Sequence, residues 1–212
     1  MKKSLVVFLS VLCVLTACQK SPNPKESLIA TGNALQNCDV DNIDRYIDIS
    51  AILNNAIDVV ARQDIQGLSK DEIVGLTAAK VIIVPIAKQF ILEGVRELSN
   101  SEYKDYAKMI KVKQYEILEN KNGIASAKVI LDNQEAIKYA LDKNLVPEEA
   151  KPYIADPETV FMLKMKQSGE YWQIIEITNL EEIIKKYAPL YEEQMKKEEA
   201  KERNSQKVNF RK

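Results

Sequence analysis

The spacing of apolar residues predicts that helices fill the first half of the chain. Apolar side chains recur every three or four residues over 26–37, 49–63 and 70–98, which is typical of amphipathic helices. Asp39 is positioned to cap a short helix that ends at Tyr46, and Asp48 to cap the helix over 49–63, because a carboxylate before the first turn accepts its free N–H groups.

The second half of the chain changes to an apolar period of two, which predicts strands. Residues 110–118 and 124–131 flank Asn120-Lys121-Asn122-Gly123, a sequence typical of a tight hairpin turn. Residues 159–166 and 171–178 form a second such pair around a turn that contains Gly169. The two hairpins after a run of helices predict an α+β domain in which helices cover one face of an antiparallel sheet.

The connecting segments predict shorter helices. Residues 133–156 indicate a helix and then a loop, because Pro147, Pro152 and the following Pro157 exclude a long element. Asn179, with Glu182 three residues later, predicts the cap of a last helix.

The helix over 70–98 has an apolar middle at 76–86, with Lys80 as its one charge. We expect this part to be buried on several sides. The alternative is a segment that dips into lipid, although it is too short to span a bilayer. Pro85 should kink this helix or split it in two.

The first eighteen residues indicate export and lipidation. Two lysines precede an apolar stretch at 5–15, the form of a secretory signal peptide. Leu15-Thr16-Ala17-Cys18 resembles the lipobox of bacterial lipoproteins. The resemblance implies that the Cys18 thiol receives a diacylglycerol and that cleavage occurs just before it. Gln19, rather than Asp, follows, which by resemblance to the sorting rule of enteric bacteria implies the outer membrane if the source has one.

The predicted organisation has four parts: a leader at 1–17, a tether at 18–25, the α+β domain at 26–190 and a charged, helical or disordered tail at 191–212. Removal of the leader takes Cys13 away, and lipid occupies Cys18. Cys38 then has no partner for an intramolecular disulfide, so we expect it to be a small buried side chain.

The composition of the chain excludes several kinds of catalytic and binding site. The chain of 212 residues contains no histidine, which excludes histidine-based catalysis. Its net charge of −1 argues against nucleic acid as a partner, because phosphate binding needs a basic surface. No glycine-rich phosphate loop or Cys-x-x-Cys pair is present, and we expect no cofactor. The spacing of Asp39, Asp41, Asp44 and Asp48 suits helix caps better than an EF-hand, so no metal site is predicted.

Two segments resemble NTF2-like or cystatin-like domains of small bacterial lipoproteins. They are Gly169-Glu170-Tyr171-Trp172-Gln173-Ile174-Ile175-Glu176-Ile177, similar to the last strand of those domains, and residues 37–48, similar to an early helix. The resemblance implies N-terminal helices packed on a curved sheet of two hairpins, in the shape of a cone.

The candidate ligand pocket is formed by Tyr46, Asp48, Tyr115 and Trp172, which together would give an apolar site with a polar group. An enzyme in such a cone could use one buried carboxylate and a tyrosine, two of the groups that ketosteroid isomerase combines on a similar fold. The simpler interpretation makes Asp48 a helix cap and the aromatic residues core.

The last strand is apolar on both faces. Strict alternation places Trp172 and Ile174 on one face and Tyr171, Ile175 and Ile177 on the other. A two-layer core, or a surface for a ligand or partner, would explain this pattern.

The predicted function is that of a lipid-anchored extracytoplasmic protein that binds a small apolar ligand or a protein partner of the cell envelope. One alternative is a small-molecule enzyme that uses one buried carboxylate. Another is a structural envelope protein that acts through its charged tail.

Overall fold

The structure is a computed structural model, which describes residues 22–64, 70–101, 103–144, 151 and 156–186. Helices come first and a sheet follows, which confirms the predicted α+β class. The elements are α1 (Pro24–Asn37), α2 (Val40–Tyr46), α3 (Ile49–Asp64), α4 (Lys70–Ser99), α5 (Tyr103–Met109), β1 (Lys111–Lys121), β2 (Ile124–Asp132), α6 (Gln134–Asp142), β3 (Glu158–Ser168), β4 (Tyr171–Ile177) and α7 (180–186). The predicted leader, Cys18 and the predicted tail at 191–212 lie outside the described residues.

The sheet has four antiparallel strands in the order β1-β2-β3-β4, and it is not closed into a barrel. The first hairpin turns at Asn122 and Gly123, whose φ angles of 55° and 72° are the positive values that a two-residue type I′ turn needs. Both predicted hairpins are therefore confirmed. The segment after α2 joins the edge of β4, where the Asp48 N–H donates to the Ile174 carbonyl at 2.8 Å.

Bulges change which side chains of the edge strands face the helices. The register between β3 and β4 shifts so that Ile175 is an extra residue, and β1 has similar shifts near Lys113 and Leu118. The extra residue turns Ile177 to the same side as Ile174. The predicted placement of Ile177 on the opposite face is therefore wrong, because strict alternation ends at the bulge.

The main core lies between α1 and the sheet. Met165 of β3 is completely buried, as are Ala125 and Ala127 of β2, and Leu28 of α1 packs on this cluster. The small alanine side chains leave room for the helix to lie close to the strands.

Side-chain caps fix the starts of two helices as predicted. An Asp39 carboxylate oxygen accepts the Asn42 N–H at 3.2 Å, and an Asp48 oxygen accepts the Ala51 N–H at 2.9 Å. The predicted cap at Asn179 is wrong. Its side chain instead accepts the Met162 N–H and donates to the Val160 carbonyl, each at 2.9 Å, because β3 continues beyond the end of β4 and leaves these groups unpaired.

Helix α4 is continuous through Pro85, so the proline does not split it. Burial on several sides is a wrong prediction for the middle of this helix. Val84 is buried, but Val81, Ile82 and Ile83 are 77%, 66% and 49% exposed. The helix packs through one side, mainly against α3. No helix among the described residues has the length and apolarity needed to cross a membrane.

Cys38 ends α1 in the left-handed conformation, at φ 52°. Its thiol is free and the residue is buried, which confirms the prediction of a small buried side chain.

Candidate functional site

An apolar cavity of about 210 Å³ lies between α1 and the inner face of the sheet. Helix α1 forms one wall, all four strands form the opposite wall, and the segment that joins α2 to α3 closes one side. Its lining includes Leu28, Val112, Tyr115, Val129, Leu163 and Ile174.

The cavity has two polar side chains in its lining, Thr31 and Tyr115. The Thr31 hydroxyl donates to the Ser27 carbonyl at 2.8 Å within α1, so its hydrogen is already used. The Tyr115 hydroxyl forms no hydrogen bond with any described residue. Burial raises the pKa of this phenol, so it carries its proton at neutral pH and is available as a donor.

Gly32 lets the Tyr115 hydroxyl lie directly against the backbone of α1. A Cβ atom at Gly32 would overlap the hydroxyl oxygen, while the next ring atom, Cζ, would be 3.7 Å away in ordinary contact. A glycine in a helix interior usually costs stability relative to alanine. Here the close approach of Tyr115 explains why glycine occupies the middle of α1.

The replacement Gly32→Ala should lower the free energy of unfolding by ~1–3 kcal/mol, because the added methyl group overpacks this contact. At an ordinary helix position, replacing glycine by alanine raises the free energy of unfolding by up to ~1 kcal/mol, so the expected change here has the opposite sign. Removal of the hydroxyl in Gly32→Ala/Tyr115→Phe should restore most of the loss, as measured by urea unfolding in a double-mutant cycle. Equal losses in the single and double variants would contradict this contact.

The four residues of the candidate pocket are not brought together. Tyr115 lines the cavity, and the other three do not. The Asp48 carboxylate caps α3, and Trp172 is buried in the core, with its indole N–H donating to the Pro22 carbonyl at 2.8 Å.

Tyr46 lies in a separate cluster near the start of α1. Its ring meets that of Tyr171 edge-on, with 5.7 Å between the ring centres. The guanidinium of Arg45 lies 4.8 Å from the Tyr171 ring centre and 5.5 Å from that of Tyr46. Pro22 and Glu26 border the same depression.

The acidic run in α2 and its flanks serves local structure. Asp39 and Asp48 act as caps, and an Asp44 oxygen lies 2.6 Å from the Lys88 ammonium of α4. Among the residues that the structure describes, no group of three or more cysteine, aspartate or glutamate side chains could hold a metal ion.

Several cavity residues were missed by the sequence analysis, above all those of α1: Leu28, Thr31, Gly32 and Leu35. The one sequence signal was Gly32, an unexpected glycine inside a helical pattern.

Comparison with known proteins gives no match: no protein-family model, no curated protein and no solved structure corresponds to this chain. The geometry of the cavity is therefore the basis for a functional proposal.

Proposed function

We propose that the protein binds a small apolar molecule with one hydrogen-bond acceptor in the cavity beneath α1. The observation that carries the proposal is the unpaired Tyr115 hydroxyl in a lining whose one other polar side chain, Thr31, is already hydrogen-bonded. Ligand sites are commonly apolar, with a few polar groups that fix orientation. An apolar cavity of roughly 150 Å³ takes up benzene, so this larger one suits a molecule of about one ring with a short substituent.

The ligand would enter near the C-terminal end of α1. Leu35 lines the cavity and is also exposed, so the cavity reaches the surface at this side chain. One turn earlier, at Gly32, the Tyr115 hydroxyl takes the space that a side chain would occupy. The hydroxyl proposed to bind the ligand therefore lies one helical turn from the exposed Leu35.

The binding domain is, in the same proposal, attached to a membrane through lipid on Cys18. The basic start, the short apolar stretch and the lipobox-like end at Cys18 support this attachment. The protein would then be located in the cell envelope outside the cytoplasm, anchored to the outer membrane if the source has one. Helix α1 begins at Pro24, so only residues 19–23 separate the lipid from the domain.

We also propose that the domain is an NTF2-like or cystatin-like cone followed by a charged C-terminal helix. Helices packed on one face of a four-stranded meander support the first part. Bulges in β1 and β4, which bend strands, favour a curved sheet. Four-residue spacings such as Glu192/Lys196 favour a helical tail.

The experiment compares ligand binding by two variants of β1 in a chain of residues 19–212. Val112 lines the cavity, whereas Leu118 is exposed on the same strand and outside it. Val112→Phe should weaken binding of acetophenone, a ring with one carbonyl acceptor, by at least ~10-fold, because the added ring fills the cavity. Calorimetric titration measures the affinities.

Leu118→Phe adds the same aromatic ring outside the cavity and should leave the affinity unchanged. Equal affinities in both variants and in the unchanged chain would place the binding elsewhere and contradict the proposal.

A further inference from the structure

The cavity beneath α1 has no charged side chain in its lining, as far as the structure describes the residues around it. Helix α1 brings no charge to this wall, because its sequence from Ser27 to Asn37 contains no aspartate, glutamate, lysine or arginine. An ionised ligand in the cavity would therefore meet no opposite charge on the helix.

The cations of the sheet lie away from the cavity. Lys128 of β2 stands between two buried residues that face α1, so its own side chain is on the opposite face of the sheet. Lys164 and Lys166 of β3 flank the buried Met165 in the same way. The lysines of β1 are exposed, and β4 has neither lysine nor arginine. The strands therefore supply no cation that could pair with an anion in the cavity.

The described lining offers a ligand one side-chain hydrogen-bond donor, the Tyr115 hydroxyl. The hydrogen of the Thr31 hydroxyl is taken by the Ser27 carbonyl at 2.8 Å, so Thr31 can present only lone pairs. A buried carboxylate needs several donors or a cation to replace its water. A carbonyl oxygen can be satisfied by one donor and brings no hydrogen that needs an acceptor. The hydrogen-bonding groups of the lining therefore fit a neutral carbonyl group better than a carboxylate.

The surroundings of the Tyr115 hydroxyl disfavour negative charge. Burial raises the pKa of this phenol, because the phenolate would lose hydration without gaining a partner. The close approach to Gly32 contributes to this burial, since the backbone of α1 covers the hydroxyl on that side. A carboxylate that accepted the hydroxyl hydrogen would lie in the same surroundings and lose hydration in the same way.

We propose that the ligand of this cavity is a neutral carbonyl compound, and that the Tyr115 hydroxyl selects it over a carboxylate of the same shape. The inference rests on the proposed function, because it names the ligand class of the same cavity. A carbonyl exchanges a hydrogen bond with water for one with Tyr115, whereas a carboxylate gives up a larger hydration shell for the same single bond. Tyr115 is then the specificity-determining residue of the cavity.

The test compares acetophenone, benzoate and α-methylstyrene, which have nearly the same size and shape. Benzoate has a charged oxygen in place of the methyl group of acetophenone, and α-methylstyrene has a methylene group in place of the carbonyl oxygen. Calorimetry follows the displacement of acetophenone at neutral pH from the chain of residues 19–212, which contains all of the described residues. Displacement counts only binding at the acetophenone site. We expect benzoate to bind at least ~30-fold more weakly than acetophenone.

The variant Tyr115→Phe removes the hydroxyl and keeps the ring. It should weaken the binding of acetophenone ~10-fold and leave the affinity for α-methylstyrene within ~2-fold, because the hydrocarbon does not use the hydroxyl. If Tyr115 served only to shape the cavity, both affinities would change together. The matched control is Tyr139→Phe on α6, which removes a hydroxyl outside the cavity and should leave both affinities unchanged.

Three results would overturn the inference. A difference below ~30-fold between benzoate and acetophenone would refute the selection against carboxylates. Similar losses of affinity for acetophenone and α-methylstyrene in Tyr115→Phe would refute the role of the hydroxyl. Either of these results leaves the binding cavity in place. A lack of saturable binding for all three compounds would refute the proposed function and the inference together.

Discussion

Replacement of Cys18 by alanine should abolish the incorporation of labelled fatty acid and move the protein out of the membrane fraction. The thiol is the proposed acceptor of the lipid, and each buried methylene contributes ~0.8 kcal/mol, so two or three acyl chains dominate the attachment. Metabolic labelling and fractionation of the full-length protein measure both effects.

The other two cysteines provide matched controls. Cys13 lies in the proposed leader and Cys38 is buried in the domain, so Cys13→Ala and Cys38→Ala should retain the label. Labelled fatty acid that persists in Cys18→Ala would contradict the anchor.

The replacement Trp172→Ala should lower the free energy of unfolding by ~3–5 kcal/mol, the range for deletion of a large buried ring. Trp172 is 2% exposed, and its indole N–H holds the Pro22 carbonyl at 2.8 Å, which ties the start of α1 to β4. The variant has no tryptophan, so urea unfolding is followed by circular dichroism.

Trp172→Phe separates packing from the hydrogen bond. It keeps an aromatic ring in the core and should cost less than Trp172→Ala. A loss below ~1 kcal/mol for Trp172→Ala would show that this side chain does not hold the core as described.

Elements with a local cause were predictable from the sequence. Asp39 and Asp48 start helices because their carboxylates satisfy free N–H groups within three residues. Asn122-Gly123 forms the first hairpin turn because these residue types accept positive φ angles. In each case the residues that determine the structure are neighbours in sequence.

Features set by distant contacts were not predictable. The bulge at Ile175, which turns Ile177 inward, depends on the register of β4 against β3. The exposure of Ile82 and Phe90 depends on how many sides of α4 other elements cover. An apolar helix pattern is the same whether its partner is protein or something outside the chain.

Of the four residues predicted to form the ligand pocket, only Tyr115 lines the cavity. Aromatic residues in strands were reasonable choices for a pocket, but only the packing of α1 decides which of them line a void. The Tyr115 hydroxyl reaches the cavity because Gly32 has no side chain in its way, whereas Trp172 is buried in the core.

The most direct test of the proposed function is methyl NMR of the chain of residues 19–212 titrated with acetophenone. We predict that the methyl groups of Val112, Val129 and Leu163, which line the cavity, shift with a single saturable affinity. The methyl groups of Ile82 and Leu118, which lie outside it, should stay unchanged. Shifts confined to Ile82 and its neighbours on α4, or no saturable shift at all, would contradict a binding cavity beneath α1.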